Sequence, residues 1–257
     1  MSRAARRAWD DWARVDPLWA ILTEPTAEQS EAAFFASGRD AVEMILAEAQ
    51  RLGYPSRREV ALDFGCGVGR LTQALASHFE TTYGLDIAPR MIERAEQLAH
   101  DRGITSCRFL VHDDEDLRRF ESGSVDLVCS LLVLQHLPSR DSITSYVREF
   151  VRVLAPQGVA VFQLPTHIPS ANGASTARAR LGLRRRLTGL LRALGASPRF
   201  LYQRLGWRPP MPMTAVEESV VRDTVTQIGG RVLGVTPMAA DHGGVQSGLY
   251  WITGSNF

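Results

Sequence analysis

The sequence predicts an α/β protein: a parallel sheet covered by helices on both faces. Between residues 59 and 164, short apolar runs typical of strands alternate with helical patterns. Such alternation indicates parallel strands joined by helical crossovers. One run, 59–64, also passes directly into a glycine-rich stretch, 65–69, that opens the next helical pattern. A strand, a glycine turn and a helix in that order form the repeating unit of such sheets.

Apolar periodicity, broken by Gly and Pro, sets the individual elements. Helices are expected at about 27–52, 69–78, 89–102, 141–154 and 215–228, and Pro89 suits a first helical turn. Strands are expected at 59–64, 81–86, 107–111, 125–130 and 158–164, with a closing pair at 231–237 and 248–253.

The chain divides into an N-terminal helical cap, 1–55, and a main domain, 56–257, with an insertion at about 165–213 that is rich in Arg, Pro and Gly. Within the insertion, leucines recur at helical spacing between arginines over 178–194. That helix has three interpretations: a lid over a substrate, a membrane-surface helix or a partner-binding helix. We favour the lid.

Composition excludes several functions. The 257 residues are 45% hydrophobic, enough for one large core, and the formal net charge of +1 gives no drive toward nucleic acid or anionic membrane. All 29 basic residues are arginine, so a pyridoxal Schiff base and a Walker P-loop are absent. We interpret the three cysteines as reduced thiols of a cytoplasmic protein, and we find no spanning segment or signal peptide.

The glycine loop carries the chemistry. Asp63 precedes Gly65, Gly67 and Gly69, so the third glycine comes one residue earlier than in the dinucleotide fingerprint G-x-G-x-x-G. Arg70 stands where that fingerprint has glycine or alanine. An acid ahead of the glycines repels a diphosphate and attracts an ammonium group. The loop therefore predicts a nucleoside ligand other than a dinucleotide.

Two acidic positions follow at the ends of later strands. Asp86, about twenty residues after the glycines, is placed to accept hydrogen bonds from both ribose hydroxyls. The acidic loop 112–116 follows the third strand, and an acid there accepts a hydrogen bond from an adenine amino group. Most of its charges are expected to be solvated, and we assign the adenine contact to Asp113.

In this order, the segments resemble the class I S-adenosylmethionine-dependent methyltransferases, nearest to the small-molecule enzymes of ubiquinone and menaquinone biosynthesis. Residues 63–69 resemble the first motif, and 152–158 resemble the turn into strand five, with Ala155 and Gln157 as departures. The resemblance implies a Rossmann-like seven-stranded sheet of order 3-2-1-4-5-7-6 with strand 7 antiparallel. It implies S-adenosylmethionine as cofactor and S-adenosylhomocysteine as product. The implied cofactor residues are Asp63, Gly65, Cys66, Gly67, Arg70, Asp86, Ile87, Met91, Asp113, Asp114, Ser130, Leu131 and Gln135.

The catalytic candidates are histidines. His136 follows strand four at the mouth of the expected site, and its ordinary pKa suits a general base near neutral pH. A histidine bonded only to backbone is an equal alternative for it. His242 and His167 are further candidates for the same role. In the cap, Arg39 is a candidate partner of the methionine carboxylate, although a solvated helix arginine is the simpler interpretation.

We expect methyl transfer to a small-molecule acceptor, by preference a hydroxyl oxygen of a sugar, polyketide or other natural product, without a metal. Transfer to nitrogen or carbon is the alternative within the same class. Two other classes stay open: a nicotinamide-dependent oxidoreductase, which the glycine spacing disfavours, and a cofactor-binding protein without turnover.

Overall fold

The structure, a computed structural model, describes residues 3–22, 30–168, 191, 195–205, 211–238 and 244–254. Its helices are α1 (Arg3–Val15), α2 (Pro17–Leu22), α3 (Glu31–Arg51), α4 (Arg70–Leu75), α5 (Pro89–Asp101), α6 (Arg140–Val153), α7 (Pro198–Leu205) and α8 (Glu218–Gln227). Its strands are β1 (Val60–Phe64), β2 (Thr81–Asp86), β3 (Cys107–Val111), β4 (Val125–Ser130), β5 (Leu154–His167), β6 (Arg231–Met238) and β7 (Gln246–Thr253).

The seven strands form one sheet in the order β3-β2-β1-β4-β5-β7-β6. Strands β1 to β5 pair in parallel, and β7 runs antiparallel between β5 and β6. The expected fold class and strand order are therefore confirmed. The order reverses between β1 and β4, so the crossovers from these strands leave toward opposite sides and open a crevice at their carboxyl ends.

Alternating side chains of the central strands fill two cores, one on each face of the sheet. In β5, Ala160 and Phe162 pack with α6 and α8, whereas Val159 and Val161 pack with α3 and α4. All four side chains are fully buried. Residues i and i+2 of a strand share a face, so burial on both faces explains the continuous apolar run at residues 159–162 of β5.

Several helices begin at recognisable caps. Ser30 Oγ accepts a hydrogen bond from Ala33 N at the start of α3, and Ser139 Oγ accepts one from Ser142 N at the start of α6. Both satisfy a backbone donor that has no partner within the helix. Pro89 occupies the first turn of α5, as expected.

In the described part of the cap, α1 and α2 precede α3 and are separated by Asp16. Trp12 of α1 is 1% exposed and meets Tyr202 of α7 edge to face, with ring centroids 6.5 Å apart. The described helix of the insertion therefore lies against the cap. The leucine and arginine stretch at 178–194 lies outside the described residues, apart from Leu191. Within the described ranges, no helix has the length and apolarity that crossing a bilayer requires.

Candidate functional site

A cleft opens at the carboxyl ends of β1, β2 and β4, where the strand order reverses. The space between its walls, counted together with the open solvent at its mouth, is about 750 Å³. Its floor is formed by the glycine loop and the ends of β1 and β2, one wall by the segment after β4, and its roof by α1 and α2. The lining residues are Ala5, Trp9, Ala20, Ile21, Phe64, Gly65, Gly67, Leu85, Asp86, Ile87, Met91, His112, Leu131, Leu132, Val133, His136 and Leu137.

The glycine loop turns tightly between β1 and α4. Gly65 has a φ of +81°, and the backbone N–H groups of Gly65 and Cys66 both donate to the carbonyl oxygen of Leu85 at 2.8 Å. A Cβ at Gly65 would lie 2.3 Å from the methyl carbons of Val133, and one at Gly67 would lie 2.6 Å from Cδ1 of Ile21. Glycine is therefore required here for its conformation and for the close approach of the opposite wall.

Asp86 closes the floor of the cleft at the end of β2. The N–H of Gly67 donates to its Oδ2 at 2.9 Å, and the N–H of Ala88 donates to its Oδ1 at 2.8 Å. Each carboxylate oxygen keeps a lone pair for a ligand. Burial raises the pKa of Asp86 to about 6, against the lowering effect of these two hydrogen bonds.

Asp63 lies behind the glycine loop, 2% exposed, and is not among the lining residues. Its Oδ2 accepts a hydrogen bond from the hydroxyl of Thr72 at 2.6 Å. Burial raises its pKa to about 6, while the Thr72 hydrogen bond and the Arg70 charge oppose the rise. In the described structure its hydrogen bond with Thr72 ties the end of β1 to α4.

The cap roofs the cleft through α1 and α2. Trp9 and Ile21 line it, and polar contacts from α1 hold the cap to the main domain. Arg6 Nη1 of α1 lies 2.5 Å from Asp113 Oδ2 in the acidic loop. Asp10 Oδ1 accepts from the N–H of Arg90 at 3.2 Å at the start of α5, and its Oδ2 lies 3.5 Å from Nε of the same arginine. The cap is thereby held to the acidic loop and to the start of α5.

His136 lies on the wall that the segment after β4 forms. It belongs to a 3-10 turn, Leu134–His136, between β4 and α6. Its Nδ1 is 2.9 Å from the carbonyl oxygen of Pro212, and its Nε2 is 3.3 Å from Nε2 of Gln135. Since a carbonyl only accepts, Nδ1 carries the proton and Nε2 keeps its lone pair. Burial lowers the pKa of His136, and the Pro212 contact opposes this effect. The ring of Trp9 meets the imidazole edge to face at 5.1 Å.

The segment that carries Pro212 is positioned by backbone contacts. The N–H of Thr214 donates to the carbonyl oxygen of Gln135 at 2.7 Å. The hydroxyl of Thr214 donates to the carbonyl oxygen of Leu137 at 3.0 Å. The N–H of Val216 donates to the carbonyl oxygen of Pro165 at 3.0 Å. Residues far apart in sequence thus place the acceptor that orients His136.

The structure separates the expected site residues into two groups. Those lining the cleft are Gly65, Gly67, Asp86, Ile87, Met91, Leu131 and His136. The others have different surroundings. Cys66 is buried under the loop, and Arg70 is buried with Nη1 3.2 Å from the carbonyl oxygen of Ser37. The hydroxyl of Ser130 donates to the carbonyl oxygen of Phe64 at 3.0 Å.

The remaining candidates also lie away from the lining. The side chain of Asp113 is 51% exposed and faces Arg6, and the carboxylate of Asp114 lies 4.0 Å from Arg119. Gln135 is buried behind the lining, with its amide nitrogen 3.3 Å from Nε2 of His136. Arg39 is exposed on α3, and His167 is exposed at the end of β5. His242 lies outside the described residues.

Sequence reasoning missed several lining residues. From the cap come Ala5, Trp9, Ala20 and Ile21, and from the sheet end come His112 and Leu137, whereas Leu132 and Val133 lie in the segment 130–136 that the resemblance placed along the transfer site. The tryptophans of the cap were a visible signal, but nothing local says which of them faces a cleft formed some fifty residues later. His112 was not selected, because the acids that follow it at 113–116 were the expected partners of the adenine amino group.

Fold and cleft together define a Rossmann-like methyltransferase: the strand order with an antiparallel β7, the glycine loop on β1 and the acid at the end of β2. Comparison with known proteins agrees. Residues 62–162 match the model of a methyltransferase domain. The chain therefore carries a methyltransferase domain over residues 62–162, in the class I fold whose cofactor is S-adenosylmethionine.

Among curated relatives, tocopherol O-methyltransferase of Arabidopsis thaliana is 36% identical over 99 residues, 38% of this chain and 27% of that protein. Ubiquinone biosynthesis O-methyltransferase of Xanthomonas euvesicatoria is 30% identical over 126 residues, 47% of this chain and 51% of that protein. The matched part thus spans about a quarter to a half of these relatives.

Solved structures share the fold across almost the whole chain. Magnesium protoporphyrin IX methyltransferase of Synechocystis, solved with S-adenosylmethionine bound, has a TM-score of 0.61 at 15% identity and covers 99% of each chain. An S-adenosylmethionine-dependent methyltransferase of Clostridium acetobutylicum has a TM-score of 0.59 at 14% identity, covering 93% of this chain and 96% of that one.

The residues of the cleft fit this cofactor. Asp86 offers lone pairs suited to the two ribose hydroxyls. Gly65 and Gly67 have no side chain, so a ligand can approach the backbone of the cleft floor closely. His112, 2% exposed, adds a ring nitrogen, Nδ1, that has no hydrogen-bond partner among the described residues. Apolar side chains of Ile87, Met91 and Leu131 provide walls for a flat base.

Proposed function

We propose that the protein transfers the methyl group of S-adenosylmethionine to a hydroxyl oxygen of a flat, largely apolar small molecule, with His136 as general base. The observation that carries the proposal is the arrangement of His136. Its Nδ1 is anchored to Pro212, and its ring lines the same cleft as the glycine loop and Asp86.

The cofactor is held by the floor of the cleft. Asp86 accepts hydrogen bonds from the ribose, and the glycine loop packs against the rest of the ligand. When bound, S-adenosylmethionine supplies an electrophilic methyl group on a cationic sulfur, so the protein need not activate the leaving group. The work left to the chain is to align the acceptor and to exclude water.

His136 removes the proton of the acceptor hydroxyl. Its Nε2 has the lone pair, because Nδ1 donates to the carbonyl oxygen of Pro212. The amide N–H of Gln135 meets Nε2 at 3.3 Å and gives way to the acceptor hydroxyl. Burial lowers the pKa of the imidazole, so it is neutral and competent as a base at neutral pH.

The cleft around His136 favours an aromatic or polyketide hydroxyl over a sugar. The ring of Trp9 meets its imidazole, and the other lining side chains of the same wall are aliphatic: Leu131, Leu132, Val133 and Leu137. A sugar would bury several hydroxyls, each needing a hydrogen-bond partner that these side chains do not supply. The names of the tocopherol and ubiquinone relatives also point to transfer to oxygen.

The cap and the insertion complete the site as a lid. Trp9 closes one side of the cleft, and α7 packs on the cap through Tyr202 and Trp12. We assign residues 1–55 as the cap and about 165–213 as the inserted lid, of which 165–168, 191, 195–205 and 211–213 are described. Their function is to shield the transfer from water.

A screen with methyl-labelled S-adenosylmethionine tests the proposal. Phenols, aromatic polyketides, sugars, amines and activated carbon acids are offered separately, and labelled product is identified by mass spectrometry. We expect labelling of phenolic or polyketide hydroxyls, lost in His136→Asn. Labelling of only amines or carbon acids would contradict transfer to oxygen. Binding of S-adenosylhomocysteine with no transfer to any acceptor would favour a non-catalytic binding protein, and binding of NAD alone would favour the oxidoreductase alternative.

A further inference from the structure

His112 follows β3 directly and lies beside the ribose acid. Its backbone N–H donates to the carbonyl oxygen of Asp86 at 2.8 Å, which continues the β2–β3 ladder by one residue. Its side chain is 2% exposed and lines the cleft, packed edge to face against Phe64 with centroids 5.9 Å apart. This position places an imidazole beside the carboxylate that is suited to the ribose hydroxyls.

Tyr146 of α6 determines which nitrogen of His112 carries the proton. The hydroxyl of Tyr146 donates to the carbonyl oxygen of Asp114 at 2.7 Å, and a phenol has only one proton to donate. Its oxygen therefore accepts from Nε2 of His112 at 3.2 Å. Burial lowers the pKa of His112, which keeps the ring neutral, with the proton on Nε2 and a lone pair on Nδ1.

Nδ1 is a buried acceptor with no partner among the described residues. A buried acceptor left unpaired is costly, so such a group in a ligand cleft indicates a donor on the ligand. S-adenosylmethionine has three kinds of donor: the ribose hydroxyls, the ammonium of its methionine part and the 6-amino group of adenine. We have assigned the ribose hydroxyls to Asp86. The ring of His112 lies beside Asp86, so its donor is expected from the nucleoside, and the 6-amino group of adenine is the nucleoside donor that is left.

Asp113, the residue expected to meet the adenine amino group, is engaged elsewhere. Its carboxylate is half exposed and forms an ion pair with Arg6 of the cap. We propose that Nδ1 of His112, held in this tautomer by Tyr146, accepts a hydrogen bond from the 6-amino group and thereby selects adenine. The inference rests on S-adenosylmethionine as cofactor and is independent of the acceptor and of His136.

Calorimetry with two ligands tests it without any turnover. S-adenosylhomocysteine is compared with its analogue in which hydrogen replaces the 6-amino group. We expect the wild-type protein to bind the analogue about five- to tenfold more weakly, as the loss of one neutral hydrogen bond with a buried partner implies. In His112→Phe, which keeps a ring but no nitrogen, the two affinities should become equal. Asp113→Asn, the matched control, should keep the wild-type ratio.

The inference would be overturned if His112→Phe kept the wild-type ratio of the two affinities, or if Asp113→Asn lost it. A measurement on the wild-type protein covers the case in which His112→Phe does not fold. With ¹⁵N-labelled histidine, the Nδ1 resonance of His112 should shift on addition of S-adenosylhomocysteine and stay in place with the analogue. An equal shift with both ligands would refute the adenine contact, while loss of methyl transfer alone would bear only on the proposed function.

Discussion

The imidazole Nδ1 of His136 lies 2.9 Å from the carbonyl oxygen of Pro212, 76 residues further along the chain. This contact turns a residue of the wall into an oriented base, because it assigns the proton to Nδ1 and leaves the lone pair on Nε2, where the Gln135 amide at 3.3 Å gives way to the acceptor. It also links the segment after β4 to the segment before α8, so the base is in register only when both have docked on the sheet.

Removal of the base gives the first prediction. His136→Asn should lower kcat by about 10²–10⁴-fold, the usual contribution of a positioned general base. The affinity for S-adenosylhomocysteine should change little, since the nucleoside end is untouched. Steady-state kinetics on the labelled acceptor and calorimetry provide the two readouts. Wild-type kcat in this variant would show that His136 has only a structural hydrogen bond.

The pH dependence of kcat gives the second prediction. Burial lowers the pKa of His136 below its ordinary 6.5, so the base stays neutral to a lower pH than a free imidazole. At saturating S-adenosylmethionine, kcat should be flat near neutrality and fall about tenfold per pH unit below that lowered pKa. The fall should be absent in His136→Asn. An acid limb centred above 6.5 would contradict this assignment.

Asp86 gives the third prediction. Its pKa is raised to about 6, so the folded protein without ligand favours the protonated acid more than the unfolded chain does. Ribose hydroxyls bind the ionised form, so affinity for S-adenosylhomocysteine should be full above pH 7 and weaken as pH falls through about 6.

Calorimetry between pH 5 and 8 measures this effect, and the matched variant is Asp86→Asn. That variant should bind about tenfold or more weakly at pH 8, because one or two hydrogen bonds to a charged group are lost. The fall in affinity through about pH 6 should be absent from this variant. A profile in the variant that keeps the wild-type slope would point instead to Asp63, whose pKa is also raised to about 6.

Two glycines provide the fourth prediction. Gly65 and Gly53 have similar φ values, +81° and +85°, but a Cβ meets Val133 at 2.3 Å at the first and nothing within 4 Å at the second. Both alanine substitutions carry the left-handed strain of about 1–2 kcal/mol. Only Gly65→Ala should lose more stability than that and also lose affinity for S-adenosylhomocysteine.

Urea denaturation and calorimetry separate the two effects. Adding Val133→Ala to Gly65→Ala removes the two methyl carbons at 2.3 Å and leaves only the Cβ contact at 2.8 Å, so it should recover part of the lost stability. Val133→Ala should not help Gly53→Ala. Equal losses at both glycines would mean that backbone strain alone explains the effect.

The ion pair between Arg6 and Asp113 gives the fifth prediction. Both side chains are about half exposed, so the pair contributes at most about 1 kcal/mol after solvent screening. Arg6→Ala should speed release of S-adenosylhomocysteine by up to about fivefold, because the cap is less well held over the cleft. Stopped-flow fluorescence of the cap tryptophans reports the rate. Arg51→Ala, which breaks the pair with Glu48 at the end of α3, is the control and should leave it unchanged.

Much of the fold follows from local pattern, and the differences have local causes. The helix expected at 69–78 ends as α4 at Leu75, because Ser77 and His78 donate to carbonyls three residues earlier in a tightened final turn. Strand β5 extends beyond 158–164 because its ends pair with β4 and β7. The helix expected from 215 begins at Glu218, since the preceding residues bond to Gln135 and Pro165.

The sequence by itself determined the class of the protein: alternating apolar patterns, glycines after the first strand and an acid at the end of the second are local features whose spacing specifies a cofactor cleft. Only the tertiary structure decided what faces that cleft. It brought Trp9 over His136, Pro212 under its Nδ1 and Arg6 onto Asp113, and it left Nδ1 of His112 without a partner among the described residues. These contacts join residues many positions apart, and periodicity reports which face of an element is buried but not which distant side chain it meets.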